Sequence, residues 1–118
     1  MGPRECLSPG RSRRALALFV ATFGRFWTAH RPIHRRLLAL GALDAGLDRT
    51  LAARQEWRRQ GLRVIVGRIR EARDETIDLL FALTSFQTFD VLAGPTRTPA
   101  EVAPIVLRVA RTILELPV

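Results

Sequence analysis

The stretch from Leu79 to Gly94 constrains this chain more than any other. Leu79, Ala82 with Leu83, Phe86, Phe89 and Ala93 recur at steps of three and four. Phe81, Thr84 with Ser85, Thr88 and Leu92 form a second such series. Steps of three and four are the signature of a helix, whereas a half-buried strand would alternate in twos. A helix resting on one core needs a single apolar stripe. Two series therefore predict one helix with its own core on one side and a ligand or a second subunit on the other. Gly94 then supplies a left-handed cap, and Pro95 cannot continue the helix.

The remaining sequence has the same helical stepping. Residues 1–12 hold Gly2, Pro3, Pro9 and Gly10 and read as a loose leader, with Ser12 the N-cap of a first helix over 12–29. Its stripe is Leu16, Phe19 with Val20, Phe23, and Phe26 with Trp27. Pro32 breaks the run and suits the first turn of a second helix, which continues through Leu37 and Leu38 to about Leu43. A third helix is expected over 47–72. It buries Leu47, Leu51, Trp57, Leu62, Ile65 and Ile69 and exposes Arg54, Arg58, Arg59 and Arg63. The helix of residues 79–93 would begin near Asp74 or Glu75, where acidic side chains favour a helix N-terminus. Thr98-Pro99-Ala100-Glu101 is a capping box with proline at the first helical position, opening a fifth helix that Pro117 ends. No two-residue alternation and no hairpin turn signal occurs. The expected fold is all-α, an antiparallel bundle of about five helices.

At 118 residues and 47% apolar composition, the chain suits one globular domain. All 19 basic residues are Arg, which reflects coding bias more than function. The net charge of +8 is uneven. Residues 1–36 carry eight Arg against Glu5, residues 37–73 eight Arg against four carboxylates, and residues 74–118 three Arg against six. A basic front half suits a solvated surface, or contact with nucleic acid or an anionic membrane. Cys6 is the single cysteine, which excludes a disulfide framework and a cysteine-based zinc site and fits a reducing cytoplasm. Arg11 to Phe23 resembles the front of a signal peptide, but Arg25, Phe26 and Trp27 follow where small residues should stand. No uncharged run approaches the roughly 20 residues of a membrane span.

Nothing in the chain supports an enzyme. His30 and His34 have the spacing of two helical metal ligands, but Pro32 lies between them and no third ligand is evident. No phosphate-binding loop, nucleophile elbow or dinucleotide fingerprint is present. No cofactor or metal is expected. Two clusters remain. One is aromatic, built from Phe19, Phe23, Phe26 and Trp27 with Trp57 and Phe81, and reads either as core or as an interhelical pocket. The other is the polar set Thr84, Ser85, Gln87 and Thr88. It either bonds a ligand or partner, or satisfies itself on carbonyls one turn back.

Residues 82–95, followed by Thr98-Pro99-Ala100-Glu101-Val102-Ala103, are similar to the last two helices of TetR/AcrR-type transcriptional regulators. Residues 26–37 together with 51–59 support the likeness, which covers roughly 13–116. The resemblance implies a regulatory domain over 13–118 that binds a small apolar effector. It also implies a homodimer in which the last two helices of each subunit form a four-helix bundle. The pocket is expected at Phe23, Trp27, Trp57 and Phe81. The dimer face is expected at Ser85, Thr88, Leu92, Val106, Val109 and Ile113. The family's helix-turn-helix would precede residue 13, where the leader is too short for three helices. Direct sequence-specific DNA binding is therefore not expected of these residues, and control of transcription would pass through a DNA-binding part elsewhere or a partner. The competing readings are a basic helical protein that binds nucleic acid non-specifically through residues 4–36, and a ligand-free interaction module.

Overall fold

The three- and four-residue stepping becomes six helices in the computed structural model, which describes residues 9–116. They are α1 (Pro9–Ala29), α2 (Arg31–Gly41), α3 (Ala45–Gly67), α4 (Asp74–Leu83), α5 (Phe86–Ala93) and α6 (Pro99–Glu115). No strand occurs among the described residues, so the all-α class holds. The readings placed on residues 1–8, Cys6 included, and on Pro117 lie outside the described residues. Residues 9–12 are the first turn of α1, not the end of a leader. Proline fits a first helical turn, and Ser12 lies buried within the helix instead of capping it.

The single helix expected over 74–93 is two helices, bent by 45° at Thr84-Ser85. Ser85 leaves the helical conformation and caps α5, its Oγ accepting from the Thr88 amide at 3.2 Å. Serine favours an N-cap over a helix interior because its hydroxyl competes for backbone groups. Several carbonyls at the break find side-chain donors. The Ser85 and Thr88 hydroxyls each donate to the Ala82 carbonyl at 2.8 Å, and the Thr84 hydroxyl donates to that of Leu80 at 2.8 Å. The polar cluster inside the apolar run thus holds a bend. No single helix among the described residues is long and apolar enough to cross a membrane.

The core is made by five helices. Leu16 and Val20 of α1, Leu62 and Val66 of α3, Ile77 and Leu80 of α4, Phe89 of α5, and Val102, Val106 and Ala110 of α6 are at most 1% exposed. Helix α2 contributes no member of this core; its Leu38 packs against the core from outside. The tightest approach is between α1 and α6 at Gly24. A β-carbon there would stand 3.1 Å from the Ala103 β-carbon and 3.4 Å from the Ala100 backbone. Close by, the Thr28 hydroxyl accepts from the Ala100 amide at 2.8 Å. It thereby satisfies one of the orphan donors at the start of α6. The expected capping box is present, with Thr98 Oγ1 accepting from the Glu101 amide and Glu101 Oε1 from the Thr98 amide.

Two joints differ from expectation. Helix α3 ends at Gly67, not near residue 72. Past this point Arg70 Nη1 donates to the Leu114 and Leu116 carbonyls at 2.6 and 2.8 Å, tying the connection to the end of α6. Gly94 has φ 63° but ψ −160°, not the compact left-handed cap. Pro95 disfavours helical ψ in the residue before it, and only glycine adopts this combination at little cost. The Gly94 carbonyl is turned toward Arg31, whose Nη2 reaches it at 2.7 Å. Arg31 Nε and Arg35 Nη2 meet Asp90 Oδ1 at 2.6 and 2.8 Å, fastening α2 to the end of α5.

Candidate ligand groove

Helix α1 buries one side of its stripe in the core and offers the other, Phe19, Phe23, Phe26 and Trp27, to the space facing α2 and α3. The rings form a ladder. Phe19 and Phe23 centroids are 4.8 Å apart, and Phe23 and Trp27 5.5 Å. Trp27 continues edge-on to His34 of α2 at 4.7 Å, which stacks on Phe86 of α5 at 5.3 Å. Such tilted and edge-on contacts suit the ring quadrupoles and each add about 0.5–1.5 kcal/mol beyond burial. His34 Nδ1 lies 3.0 Å from the His30 carbonyl, which can only accept, so that nitrogen carries the proton. Trp27 is buried, and its Nε1 donates to the Thr84 carbonyl at 3.2 Å. The α4–α5 bend therefore aligns the ring at the floor of the space.

Between this ladder, α2 and α3 lies a groove of about 590 Å³. Ile33, His34, Leu37 and Leu38 of α2 line one side, and Leu51, Arg54, Gln55, Trp57 and Arg58 of α3 the other. The volume falls within the range of small-molecule sites, and the mixture of apolar walls with a few polar groups is their usual composition. Its rim is open. Trp57 is 84% exposed and Ile33 55%.

Arg58 is the polar anchor of the groove. The stepping Leu51, Gln55, Arg58, Leu62, Val66 faces inward on α3, so Arg58 is 5% exposed while the neighbouring Trp57 projects outward. This reverses the expected assignment of the two residues. The pattern assigned the inward slot to the more hydrophobic side chain, but at this register the slot lies beside the carbonyls of the α4–α5 bend. Arg58 Nη1 donates to the Phe81 carbonyl at 2.7 Å and to Thr84 Oγ1 at 2.6 Å. Its Nε and Nη2 donate to Gln55 Oε1 at 3.2 and 2.8 Å. Burial, and to a smaller extent the neighbouring Arg59 charge, push its guanidinium down to about 10, so it stays cationic at neutral pH.

Of the four expected pocket residues, the structure brings Phe23, Trp27 and Trp57 together on the groove. Phe81 is elsewhere. Its ring lies beneath the Arg58 and Arg59 guanidinium carbons at 4.0 and 4.3 Å, and it lines an adjoining depression with Ser85 and Thr88, across the wall formed by Gln55 and Arg58. The residues expected at a dimer face do not form one surface. Ser85 and Thr88 are engaged at the bend, Leu92 is half-buried against the core, and Val106 is fully enclosed in the chain's own interior. Val109 is 42% exposed and Ile113 half-buried, on the outer side of α6. His34, Phe86, Gln55 and Arg58 were missed as groove residues. His34 and Phe86 carry an aromatic signal, whereas an arginine on an Arg-rich helix carries none. Among the described residues no group of three or more His, Cys, Asp or Glu could hold a metal ion. Comparison with protein-family models, curated proteins and solved structures finds no match to this chain.

Proposed function

We propose that this chain is a helical regulatory module that takes a small, mostly apolar effector into the α1–α2–α3 groove. The observation that carries this reading is the groove itself, an aromatic-walled space of about 590 Å³ with one buried polar anchor. In a packed interior such rings would enclose one another, but here Phe26 and Trp57 stay 44% and 84% exposed at the rim. An apolar ligand seated against them would gain roughly 25 cal/mol for each Å² withdrawn from water. It would also bias the positions of α2 and α3, which is how a ligand shifts a two-state equilibrium.

The resemblance to TetR/AcrR regulators supports a transcriptional role, exerted through a DNA-binding part joined to the module or carried by a partner. A homodimer would use the outer side of α6, where Ile113 lies near the exposed Leu79 and Leu116 and the exposed Val109 stands one turn earlier. A solution mass near twice 13.3 kDa, reduced to the single-chain value by Val109→Glu with Ile113→Glu, is the outcome expected from light scattering. A chain already monomeric before substitution sinks the dimer.

Tryptophan emission tests the effector reading directly, because the chain has two tryptophans and both line the groove. Titration with a set of apolar aromatic compounds should perturb that emission and raise the unfolding midpoint together, since a ligand of the folded state stabilises it. If neither signal moves at millimolar concentrations of any compound, the groove is not a ligand site.

A further inference from the structure

Four arginines of α2 and α3 that lie outside the lining of the groove have carboxylate partners. Arg31 and Arg35 meet Asp90, Arg59 meets Asp78, and Arg63 meets Asp74. Arg58, more buried than any of these and part of the lining, has none among the described residues. Its acceptors are a backbone carbonyl, a threonine hydroxyl and a glutamine side-chain oxygen. The groove it lines also holds Arg54, His30 and His34 and, among the described residues, no aspartate or glutamate. A cation out of water that meets only neutral dipoles and the face of the Phe81 ring, with no counter-charge, is a costly arrangement, and here it stands at the wall of an open apolar space.

The geometry of its donors narrows what would complete it. The Nη1 side is committed to the α4–α5 bend. The Nε and Nη2 side is held by a single oxygen of Gln55, at 3.2 and 2.8 Å. Two parallel donors on one guanidinium edge match the two oxygens of a carboxylate. Gln55 occupies that edge with one neutral oxygen. It is half-buried and also lines the groove, so it can turn aside without disturbing the core.

We infer that the groove selects an amphipathic carboxylate, a monocarboxylic acid with an aromatic or aliphatic body. Its carboxylate takes the Nε and Nη2 edge of Arg58 in place of Gln55, and its body lies along Phe19, Phe23 and Trp27. The inference rests on the reading of the groove as a ligand site and names the chemical class of the ligand.

Calorimetric titration of the full chain with 1-naphthaleneacetic acid and with its neutral amide, at pH 7 and low ionic strength, separates the two levels. The acid should bind about tenfold or more tighter than the amide, the scale of a charge-assisted pair in a partly dry site. Gln55→Glu places a carboxylate of the chain itself on the same edge and should bring the acid-to-amide ratio to near one. Gln55→Ala clears the edge and should hold or raise the ratio. Equal affinity for acid and amide in the parent chain overturns this inference and leaves the groove a site for neutral ligands. Binding of neither overturns both. An acid preference that survives Gln55→Glu, falls with Gln55→Ala, or disappears instead with Arg54→Gln would show that Arg58 is not the anchor.

Discussion

Helix α1 has two unlike sides. Toward α6 it presents Leu16, Val20 and Gly24, and the fit is close enough that a β-carbon at Gly24 would crowd Ala103. Toward α2 and α3 it presents rings that touch one another yet leave a groove of about 590 Å³ open above them. The first side is held by area withdrawn from water and by dispersion across a dense contact. The second is held by directed bonds. The Trp27 indole and the Arg58 guanidinium fix the carbonyls of the α4–α5 bend, and Arg31 with Arg35 fix α2 to Asp90. The contrast shows how one short chain stays folded while keeping apolar surface open. Packing supplies stability on one face, and polar clamps hold an unfilled shape on the other.

The largest test of this division is in the core. Phe89 is fully buried, packed at the α1–α5–α6 junction beside Gly24. Phe89→Ala should cost about 3–5 kcal/mol by removing a large buried ring and leaving a cavity. Urea unfolding followed by circular dichroism would read it. A loss below about 1 kcal/mol would mean that this face is not the packed one.

Arg58→Met comes next and addresses the clamped face. The substitution relieves a buried charge but strips the Phe81 carbonyl of its short bond, leaving only the Thr84 hydroxyl at 3.5 Å, and an acceptor left poorly met costs up to about 1–3 kcal/mol. A net loss of about 1–2 kcal/mol is expected, with local loosening visible as faster amide exchange across residues 81–86. If Arg58→Met instead stabilises the chain and leaves exchange at the bend unchanged, the arginine does not hold the bend.

These two residues also show what could be read from sequence. The inward stripe of α1, the α6 capping box and the all-α class follow from local rules, because apolar spacing and cap chemistry act within a turn or two. The bend at Thr84-Ser85 does not. The apolar stepping runs through it unbroken, and the donors that make it affordable come from Trp27 and Arg58, distant in sequence. The local hydroxyls of Thr84, Ser85 and Thr88 hold the bend together with these distant donors, and the distant share of the bonding is also why Trp57 and Arg58 were assigned to each other's places. Hydrophobicity ranks tryptophan inward, but the slot at that register faces carbonyls, which only a donor can satisfy. Phe23, Trp27 and Trp57 do line one groove, since aromatic spacing is visible even when the exposure of each ring is not.

A smaller effect is expected at the α2–α5 clamp. Partial burial of the Asp90 carboxyl acts to raise its pKa, but hydrogen bonds from Arg35 and Arg31 and their charges outweigh it and hold it below the usual carboxylate value. A depressed value in the folded chain means stability that is full above the unfolded value, about 3.9. That stability fades as pH falls through the folded value. Asp90→Asn should therefore cost about 1 kcal/mol at pH 7, the upper range for a partly exposed pair, and nothing in strong acid. A penalty that is the same at pH 7 and pH 2 would place the effect in packing, not in charge.

Trp57 is the sharpest probe because its two expected effects diverge. At 84% exposure the indole makes little contact with the rest of the fold, so Trp57→Phe should change stability by less than about 0.5 kcal/mol. The same substitution leaves Trp27 as the one indole, buried under the groove and bonded to the Thr84 carbonyl. A ligand that seats in the groove would cover Trp57 and move its emission to the blue, while Trp27, already dry, would change mainly in intensity. Comparing parent and Trp57→Phe at the same ligand concentration thus separates a seat at the rim from one on the floor. If Trp57→Phe destabilises the chain as much as Arg58→Met does, the rim is part of the packed structure, and the distinction between the two sides of α1 fails.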